Sequence, residues 1–195
     1  MHTILLTAFE PYGPWPTNAS ALALAELGAD LSRLPNVAIR VLPVDYEFVK
    51  AQLAEELAAN YDYVFHLGQA PDSDKIRLEA VALNIACPPN AVRDRPLCSE
   101  GPLAYRSSLP LDDLAEKIRA AGIPVEVSYH AGTYLCNAAL YLTHYYIDRL
   151  ELKTRAAFIH LPLDASQDVA PIHADTRWST ALSAAAIKIV LESLG

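Results

Sequence analysis

An uninterrupted apolar segment, Thr3-Ile4-Leu5-Leu6-Thr7-Ala8, decides the fold class of this chain. A short apolar run bounded by turn signals is typical of a buried strand. Residues 9–17 carry proline and glycine and therefore predict a loop at the carboxyl end of that strand. Asn18 or Ser20 can cap the helix that follows, which is rich in Ala and Leu and is expected to run to about Leu34.

The same order of elements recurs downstream. Val37 to Val44 predicts a second strand, Asp45 is a suitable N-cap for the next helix, and Tyr61 to Leu67 predicts a third strand. Strands that alternate with helices in this way are typical of a mostly parallel sheet with crossover helices. We therefore predict an α/β fold, built as a three-layer α/β/α sandwich around a central twisted sheet.

The middle of the chain is less regular. Residues 87–110 carry five prolines and predict a loop, which the pattern does not place relative to the sheet. Further elements are expected in this order: a strand at 76–84, a helix at 111–121, a strand at 124–129, a helix at 133–150, a strand at 156–161 and a helix at 175–194.

Composition restricts both the architecture and the partners. A chain of 195 residues is expected to form one domain, residues 1–195. A composition of 52% hydrophobic and 19% charged residues excludes intrinsic disorder. A net charge of -8 argues against nucleic acid and against an anionic membrane surface. The three cysteines, Cys87, Cys98 and Cys136, form no C-x-x-C pair, which suits a reducing cytoplasm and makes a zinc site unexpected.

Motifs for the common cofactors are missing from the sequence. Gly122 and Gly132, ten positions apart, are the closest pair of glycines, so neither G-x-G-x-x-G nor a P-loop can be drawn. The G-x-S-x-G motif of serine hydrolases is absent as well. We expect no dinucleotide, no nucleoside triphosphate and no metal, and look instead at polar residues near the ends of the predicted strands.

Cys136 is the strongest candidate for a reactive residue. It lies in Gly132-Thr133-Tyr134-Leu135-Cys136-Asn137, between a predicted strand and a long helix, so its thiol is expected in the first helical turn. There the helix dipole favours a thiolate, and the free N–H groups can hold an oxyanion. A cysteine that is simply buried in the core is the competing interpretation.

Two further side chains can complete a catalytic set. His160 closes the apolar strand at 156–161, and a thiolate nucleophile needs an imidazole as base and then as acid. His66 is expected to end another strand in the same way. Glu79 lies on the polar face of the strand at 76–84, where its carboxylate can orient an imidazole. The simpler alternatives are a histidine bonded within the sheet and a solvated strand face.

Five parts of the chain match one known family in order and in spacing. They are Thr7-Ala8-Phe9-Glu10-Pro11-Tyr12-Gly13 with Asn18-Ala19-Ser20, His66-Leu67-Gly68-Gln69-Ala70, Leu78-Glu79-Ala80-Val81-Ala82-Leu83-Asn84, Ala131-Gly132-Thr133-Tyr134-Leu135-Cys136-Asn137, and Phe158-Ile159-His160-Leu161-Pro162. With these segments the chain resembles the pyroglutamyl peptidase I family, also called pyrrolidone-carboxylate peptidases, over essentially its whole length. The fold that this resemblance implies is phosphorylase/hydrolase-like.

The resemblance implies a cysteine exopeptidase that removes N-terminal pyroglutamate (5-oxoproline) from peptides. Cys136 would be the nucleophile, His160 the general base and acid, and Glu79 the residue that orients the histidine. No cofactor is implied, and relatives suggest a homo-oligomer, a dimer or a tetramer. The residues that would line the pocket for the lactam ring are Phe9, Tyr12, Gln69, Tyr134 and Leu135.

Two alternatives stay open at the level of sequence. The loops at residues 13–16 and 71–74 differ from the pattern of the family, since Pro14 and Pro71-Asp72-Ser73-Asp74 replace its glycine-rich segments. One alternative is therefore a catalytically weak or inactive protein that binds 5-oxoproline. The other is an amidohydrolase that acts on a different small lactam or amide with the same three residues.

Overall fold

The structure is a computed structural model that describes residues 2–31, 36–88, 91–167 and 178–194. Its helices are α1 (Ala19–Leu31), α2 (Tyr46–Leu57), α3 (Leu111–Ala120), α4 (Leu135–Arg149) and α5 (Thr180–Glu192), with a 3₁₀ turn at Ala165–Gln167. Its strands are β1 (Ile4–Phe9), β2 (Val37–Leu42), β3 (Tyr63–Ala70), β4 (Ile76–Glu79), β5 (Val81–Leu83), β6 (Ala104–Arg106), β7 (Val125–Ser128) and β8 (Arg155–Pro162).

The central sheet has six strands in the order β2-β1-β3-β8-β4-β7. β2, β1, β3 and β8 run parallel to one another, whereas β4 pairs antiparallel with β8 and parallel with β7. The prediction of a mostly parallel α/β sheet is confirmed. The antiparallel pairing has a consequence for the site, because it brings the carboxyl end of β8 beside the start of β4.

Helices pack on both faces of the sheet and give three layers. Alternate residues of β1 separate the two faces: Ile4, Leu6 and Ala8 pack with α1, α3 and α5, whereas Leu5 and Phe9 face α2 and α4. All six residues of β1 are buried, as the apolar run predicts. Among the described helices, none is long and apolar enough to cross a membrane.

Local sequence signals explain where several helices begin and end. The Asp45 carboxylate accepts hydrogen bonds from the N–H groups of Glu47 (2.9 Å) and Phe48 (3.0 Å), so it caps α2 as predicted. Gly122 follows α3 with φ of +79°, a conformation that favours glycine. Two predicted helix boundaries lie outside the described residues: the end of the first helix at about Leu34 and the start of the last helix at residues 175–177.

The middle of the chain differs from the prediction. The strand expected at 76–84 is divided at Ala80 into β4, in the main sheet, and β5, which pairs with β6 in a separate two-stranded sheet. The backbone of Ala80 bonds both to Ser128 (2.7 Å) and to Ser107 (2.9 Å), so the chain changes partners at this residue. β6 lies within the proline-rich segment that was expected to be a loop.

Candidate active site

His160 and Glu79 form a buried pair across the antiparallel strands β8 and β4. The register places Arg77 opposite His160 and Glu79 opposite Phe158, so the imidazole lies diagonally across from the carboxylate. His160 Nδ1 and Glu79 Oε1 are 2.7 Å apart. Glu79 is 0% exposed, so the alternative of a solvated strand face is wrong. A carboxylate bonded to Nδ1 leaves the Nε2 side of the ring available for chemistry.

Cys136 lies in the first turn of α4, as the sequence predicts. Gly132, with φ of +79°, turns the chain from β7 into this helix. The thiol is half-buried rather than enclosed in the core, and it lies close enough to His160 to interact with the ring electrostatically. Cys136, His160 and Glu79 therefore form one connected chain of side chains.

The side chains beside His160 control its protonation. Burial alone would lower the pKa of His160, but the Cys136 thiolate and the Glu79 carboxylate outweigh burial and raise it to about 9. An imidazole with such a pKa carries a proton at neutral pH. A protonated imidazole beside a cysteine is the setting in which general acid–base chemistry can assist a sulfur nucleophile.

A glycine makes room for the Cys136 thiol. A Cβ atom at Gly68 would lie 3.2 Å from Cys136 Sγ and 2.6 Å from Cζ of the Phe158 ring. Gly68 is paired with His160 between the parallel strands β3 and β8. The thiol and the Phe158 ring therefore pack directly on the backbone of β3, which brings the sulfur close to the histidine. Sequence reasoning did not assign this role to Gly68.

Asn137 fixes the start of α4. Its side chain is fully buried and accepts a hydrogen bond from the N–H of Leu83 (2.8 Å) while donating to the carbonyls of Leu83 (2.9 Å) and Ile85 (3.1 Å). All of its bonds go to backbone groups of β5 and of the segment that follows it. The residue beside Cys136 thus ties α4 to a second part of the chain.

Aromatic side chains cluster at the start of α4. The ring centroids of Tyr12 and Tyr134 are 5.6 Å apart, and Tyr46 contacts Tyr134 edge-on at 5.4 Å. Phe9 is buried, and its ring centroid lies 6.2 Å from that of Phe158. Of the residues expected to line a lactam pocket, Tyr12 and Tyr134 are thus in contact. Tyr46 is an addition that sequence reasoning missed.

The other two residues expected in the pocket are buried. Leu135 packs in the same apolar cluster as Phe9. Gln69 lies in the carboxyl-terminal part of β3, directly after Gly68, and its carboxamide oxygen accepts a hydrogen bond from the N–H of Ala19 (3.2 Å).

His66 does not belong to this site. β3 extends to Ala70, so His66 lies in the middle of the strand rather than at its end, and that expectation was wrong. Its two ring nitrogens bond to the hydroxyls of Thr7 (2.7 Å) and Thr143 (2.8 Å). Burial lowers its pKa to about 3, so the ring stays neutral and forms part of the polar core.

The described residues contain no group of three or more His, Cys, Asp and Glu side chains that is arranged to hold a metal ion. The groups that are present, a thiol, an imidazole and a carboxylate in series, suit acyl transfer to sulfur.

Comparison with known proteins identifies relatives over nearly the whole chain. A family model described as pyroglutamyl peptidase matches residues 2–194. The pyrrolidone-carboxylate peptidase of Bacillus licheniformis is 33% identical over 173 residues, which cover 85% of this chain and 80% of that protein. The protein of the same name from Chromobacterium violaceum is 35% identical over 177 residues, with 87% and 81% covered.

Solved structures agree with the sequence comparison. The pyrrolidone carboxyl peptidase of the thermophilic, keratin-degrading bacterium Fervidobacterium islandicum AW-1 has a TM-score of 0.88 and 30% identity, and the match covers 100% of this chain and 98% of that one. The enzyme of Thermococcus litoralis has a TM-score of 0.88 and 29% identity, with 98% and 92% covered. Sequence and fold together show that this chain is a member of the pyroglutamyl peptidase family.

Proposed function

We propose that this chain is a cysteine exopeptidase that removes N-terminal pyroglutamate from peptides, with Cys136, His160 and Glu79 as its catalytic residues. The observation that carries the proposal is the buried Glu79 carboxylate, 2.7 Å from the His160 ring, together with the Cys136 thiol, which interacts electrostatically with the same ring. Membership of the pyroglutamyl peptidase family supports the same substrate class.

The reaction follows from the protonation state of the pair. The Cys136 thiolate attacks the carbonyl carbon of the pyroglutamyl residue, and the oxyanion that forms accepts hydrogen bonds from free N–H groups at the start of α4. The His160 imidazolium gives its proton to the leaving amine, which departs and leaves a thioester on sulfur. His160, now neutral, takes a proton from a water molecule whose oxygen attacks the thioester carbon. The C–S bond then breaks, which releases pyroglutamate and restores the sulfur and the protonated histidine. Glu79 holds the ring throughout.

The residues near the nucleophile suit the proposed ligand. A pyroglutamyl ring is uncharged and flat and offers one N–H and one C=O, so it needs an apolar site with few polar contacts. Phe9, Tyr12, Tyr134 and Leu135 supply apolar surface close to Cys136, and Gln69 supplies a carboxamide. Neither the binding protein nor the amidohydrolase considered above is favoured by any feature of these residues. The single domain, the cytoplasmic location and the homo-oligomer stay predictions.

The proposal is tested by release of a fluorescent amine from a pyroglutamyl-arylamide in reducing buffer. Cys136→Ala is expected to abolish turnover, because the thiolate forms the covalent intermediate, and alkylation of the wild type is expected to do the same. Cys87→Ala and Cys98→Ala are matched controls, since neither thiol contacts His160, and both should retain turnover. Equal turnover in all three variants, or none in a folded wild type, would refute the proposal.

A further inference from the structure

Arg77 is a charged residue beside His160 that the proposed reaction does not use. In the antiparallel pairing of β4 with β8, Arg77 lies directly opposite His160. Residues directly opposite one another share a face of the sheet, with their Cβ atoms about 4.5–5.5 Å apart. Glu79, two residues further along β4, lies on this face too and bonds to the ring, whereas Ile76 and Leu78 pack into the core on the other face. Arg77 is therefore part of the surface that surrounds the imidazole.

The order of the strands separates the two sides of a bound substrate. β3, β8 and β4 are neighbours in this order, and β1 lies beyond β3. Cys136 packs on Gly68 of β3, and Phe9 of β1 lies on the same side of His160. Arg77 of β4 lies on the opposite side. In the proposed reaction the pyroglutamyl group is bonded to sulfur while the leaving amine receives the proton of His160, so we expect the residue after pyroglutamate to lie towards β4.

The guanidinium of Arg77 is partly accessible and is paired with two carboxylates. Its Nε atom lies 3.4 Å from Oε1 of Glu126 on β7, and one terminal nitrogen lies 3.6 Å from Oδ1 of Asp72. Glu126 is also paired with Lys75, at 3.4 Å. The Arg77 side chain is 27% exposed, whereas that of Asp72 is 80% exposed. Because ion pairs of exposed groups contribute little free energy, another carboxylate can replace Asp72 at small cost.

The loop that carries Asp72 crosses the carboxyl end of β8. Residues 71–75 join β3 to β4, and these two strands lie on either side of β8. His160 is two residues before the end of β8 at Pro162. The carboxylate of Asp72 thus contacts Arg77 at the same edge of the sheet as His160.

We propose that Arg77 determines specificity for the residue after pyroglutamate, by binding an acidic side chain there in place of Asp72. This inference rests on the proposed function and adds a preference on the leaving side of the bond. A guanidinium presents parallel N–H groups that match the two oxygens of a carboxylate, whereas a carboxamide of the same shape lacks the charge. Peptides with glutamate after pyroglutamate are therefore cleaved faster than those with glutamine.

The test compares the α-amides of pyroglutamyl-glutamate and pyroglutamyl-glutamine, which have the same shape and differ in charge. Release of the amino-acid amide is measured by liquid chromatography, and we expect the ratio of the two kcat/KM values to be about five in the wild type. Arg77→Gln should reduce this ratio to about one or below, because the positive charge is lost. Arg149→Gln, at the other end of α4 from Cys136, is the matched control and should keep the wild-type ratio.

Asp72→Asn is a second variant with the opposite expected sign. Asparagine keeps the size of the side chain but not its charge, so the guanidinium is released and the ratio should rise by about threefold. A variant that only disturbed the fold would slow both substrates together and leave the ratio unchanged. Asp112→Asn on α3, on the other face of the sheet, is the matched control. Salt at about 0.5 M should lower the wild-type ratio, since it screens the pairing of exposed charges.

A wild-type ratio at or below unity would overturn the inference, and so would an unchanged ratio in either Arg77→Gln or Asp72→Asn. Faster cleavage of the lysine analogue than of the glutamate substrate would also overturn it, because exposed acids rather than Arg77 would then select the substrate. If the wild type cleaves neither dipeptide amide nor the arylamide, the proposed function fails as well. If it cleaves all three while the ratio does not depend on Arg77, only the specificity role is lost.

Discussion

At the scale of single residues, the close packing of Cys136 and Phe158 against Gly68 gives a direct prediction. In Gly68→Ala the new methyl group would lie 2.6 Å from the buried Phe158 ring and 3.2 Å from Cys136 Sγ. Overpacking of this kind costs about 1–3 kcal/mol of stability. Because the sulfur must also move, we expect kcat/KM for the arylamide to fall by more than about tenfold in protein that remains folded, as measured by circular dichroism and steady-state kinetics.

Gly28 provides the control for this substitution. It lies within α1, and a Cβ atom there would meet nothing within 4 Å. Gly28→Ala should raise the free energy of unfolding by about 0.5–1 kcal/mol and leave kcat/KM unchanged. Equal effects of the two substitutions on activity would show that the close packing at Gly68 is not required for catalysis.

Glu79 gives a prediction about pH. Its carboxylate helps to raise the pKa of His160 to about 9, so Glu79→Gln should lower that pKa and move the alkaline limb of the kcat/KM profile to lower pH. We also expect a loss of about 10³ in kcat, because the neutral amide stabilises the imidazolium poorly. Full pH profiles measure both effects. Glu116→Gln on the far helix α3 should change neither, and an unshifted alkaline limb in Glu79→Gln would refute the role of Glu79.

The sequence predicts residues at strand ends and helix starts better than residues that act through packing. Cys136 and His160 can be picked out from the sequence because a thiol at the start of a helix and an imidazole at the end of a strand are groups that catalysis uses. Gly68 carries no such signal, since a glycine within a strand is common. Its role depends on its close approach to Cys136 and Phe158, which are distant in sequence and meet it only in the folded chain.

At the scale of elements, the start of α4 depends on Asn137. Asn137→Ala removes three hydrogen bonds and leaves buried backbone groups of Leu83 and Ile85 without partners. We expect a loss of about 2–4 kcal/mol in the free energy of unfolding by urea, and slower turnover because Cys136 loses its fixed position. Asn60→Ala, at a left-handed residue after α2, is a distant control that should leave turnover unchanged. Wild-type activity in Asn137→Ala would contradict this role.

Elements with strong local patterns are predicted correctly and short ones are not. The bounds of β1 and α3 differ from the prediction by one residue at most. β6 has three residues, two of them exposed, and exists because it pairs with β5. Likewise, the division at Ala80 depends on bonds to Ser128 and Ser107, which no local pattern indicates. Long-range pairing therefore decides the part of the chain where the sequence is least informative.

At the scale of the whole molecule, buried histidines shape the dependence of stability on pH. Burial lowers the pKa of His144 to about 4 from an unfolded value of 6.5. Between these values the unfolded chain binds a proton that the folded chain does not, so stability is lost as the pH falls from about 6.5 to about 4. His160, raised to about 9, acts in the opposite direction, and its contribution is lost as the pH rises from about 6.5 to about 9.

His144→Phe tests the acid side of this profile. Phenylalanine can keep the stacking on Tyr105, where the ring centroids are 5.9 Å apart, but it cannot titrate. We expect the slope of unfolding free energy against pH between about 6.5 and 4 to decrease by about one proton in urea titrations. An identical slope in variant and wild type would mean that His144 is protonated equally in both states.

Local sequence patterns predict only part of the strand arrangement in the central sheet. Alternating strands and helices predict the parallel half, from β2 to β8. The antiparallel entry of β4 beside β8 does not follow from them, yet it places Glu79 within 2.7 Å of His160. Residue chemistry and family resemblance point to the site residues, whereas sequence order alone does not indicate which strands are neighbours.

The covalent intermediate provides the most direct test of the central claim, that Cys136 acts as a nucleophile within a Cys-His-Glu set. Wild-type protein is mixed with a pyroglutamyl-arylamide, quenched in acid within the first turnover, and analysed by intact and peptide mass spectrometry. The account predicts an added mass of one pyroglutamyl group on the peptide that contains Cys136, and none on those with Cys87 or Cys98. Turnover without any such adduct, or an adduct on another residue, would contradict it.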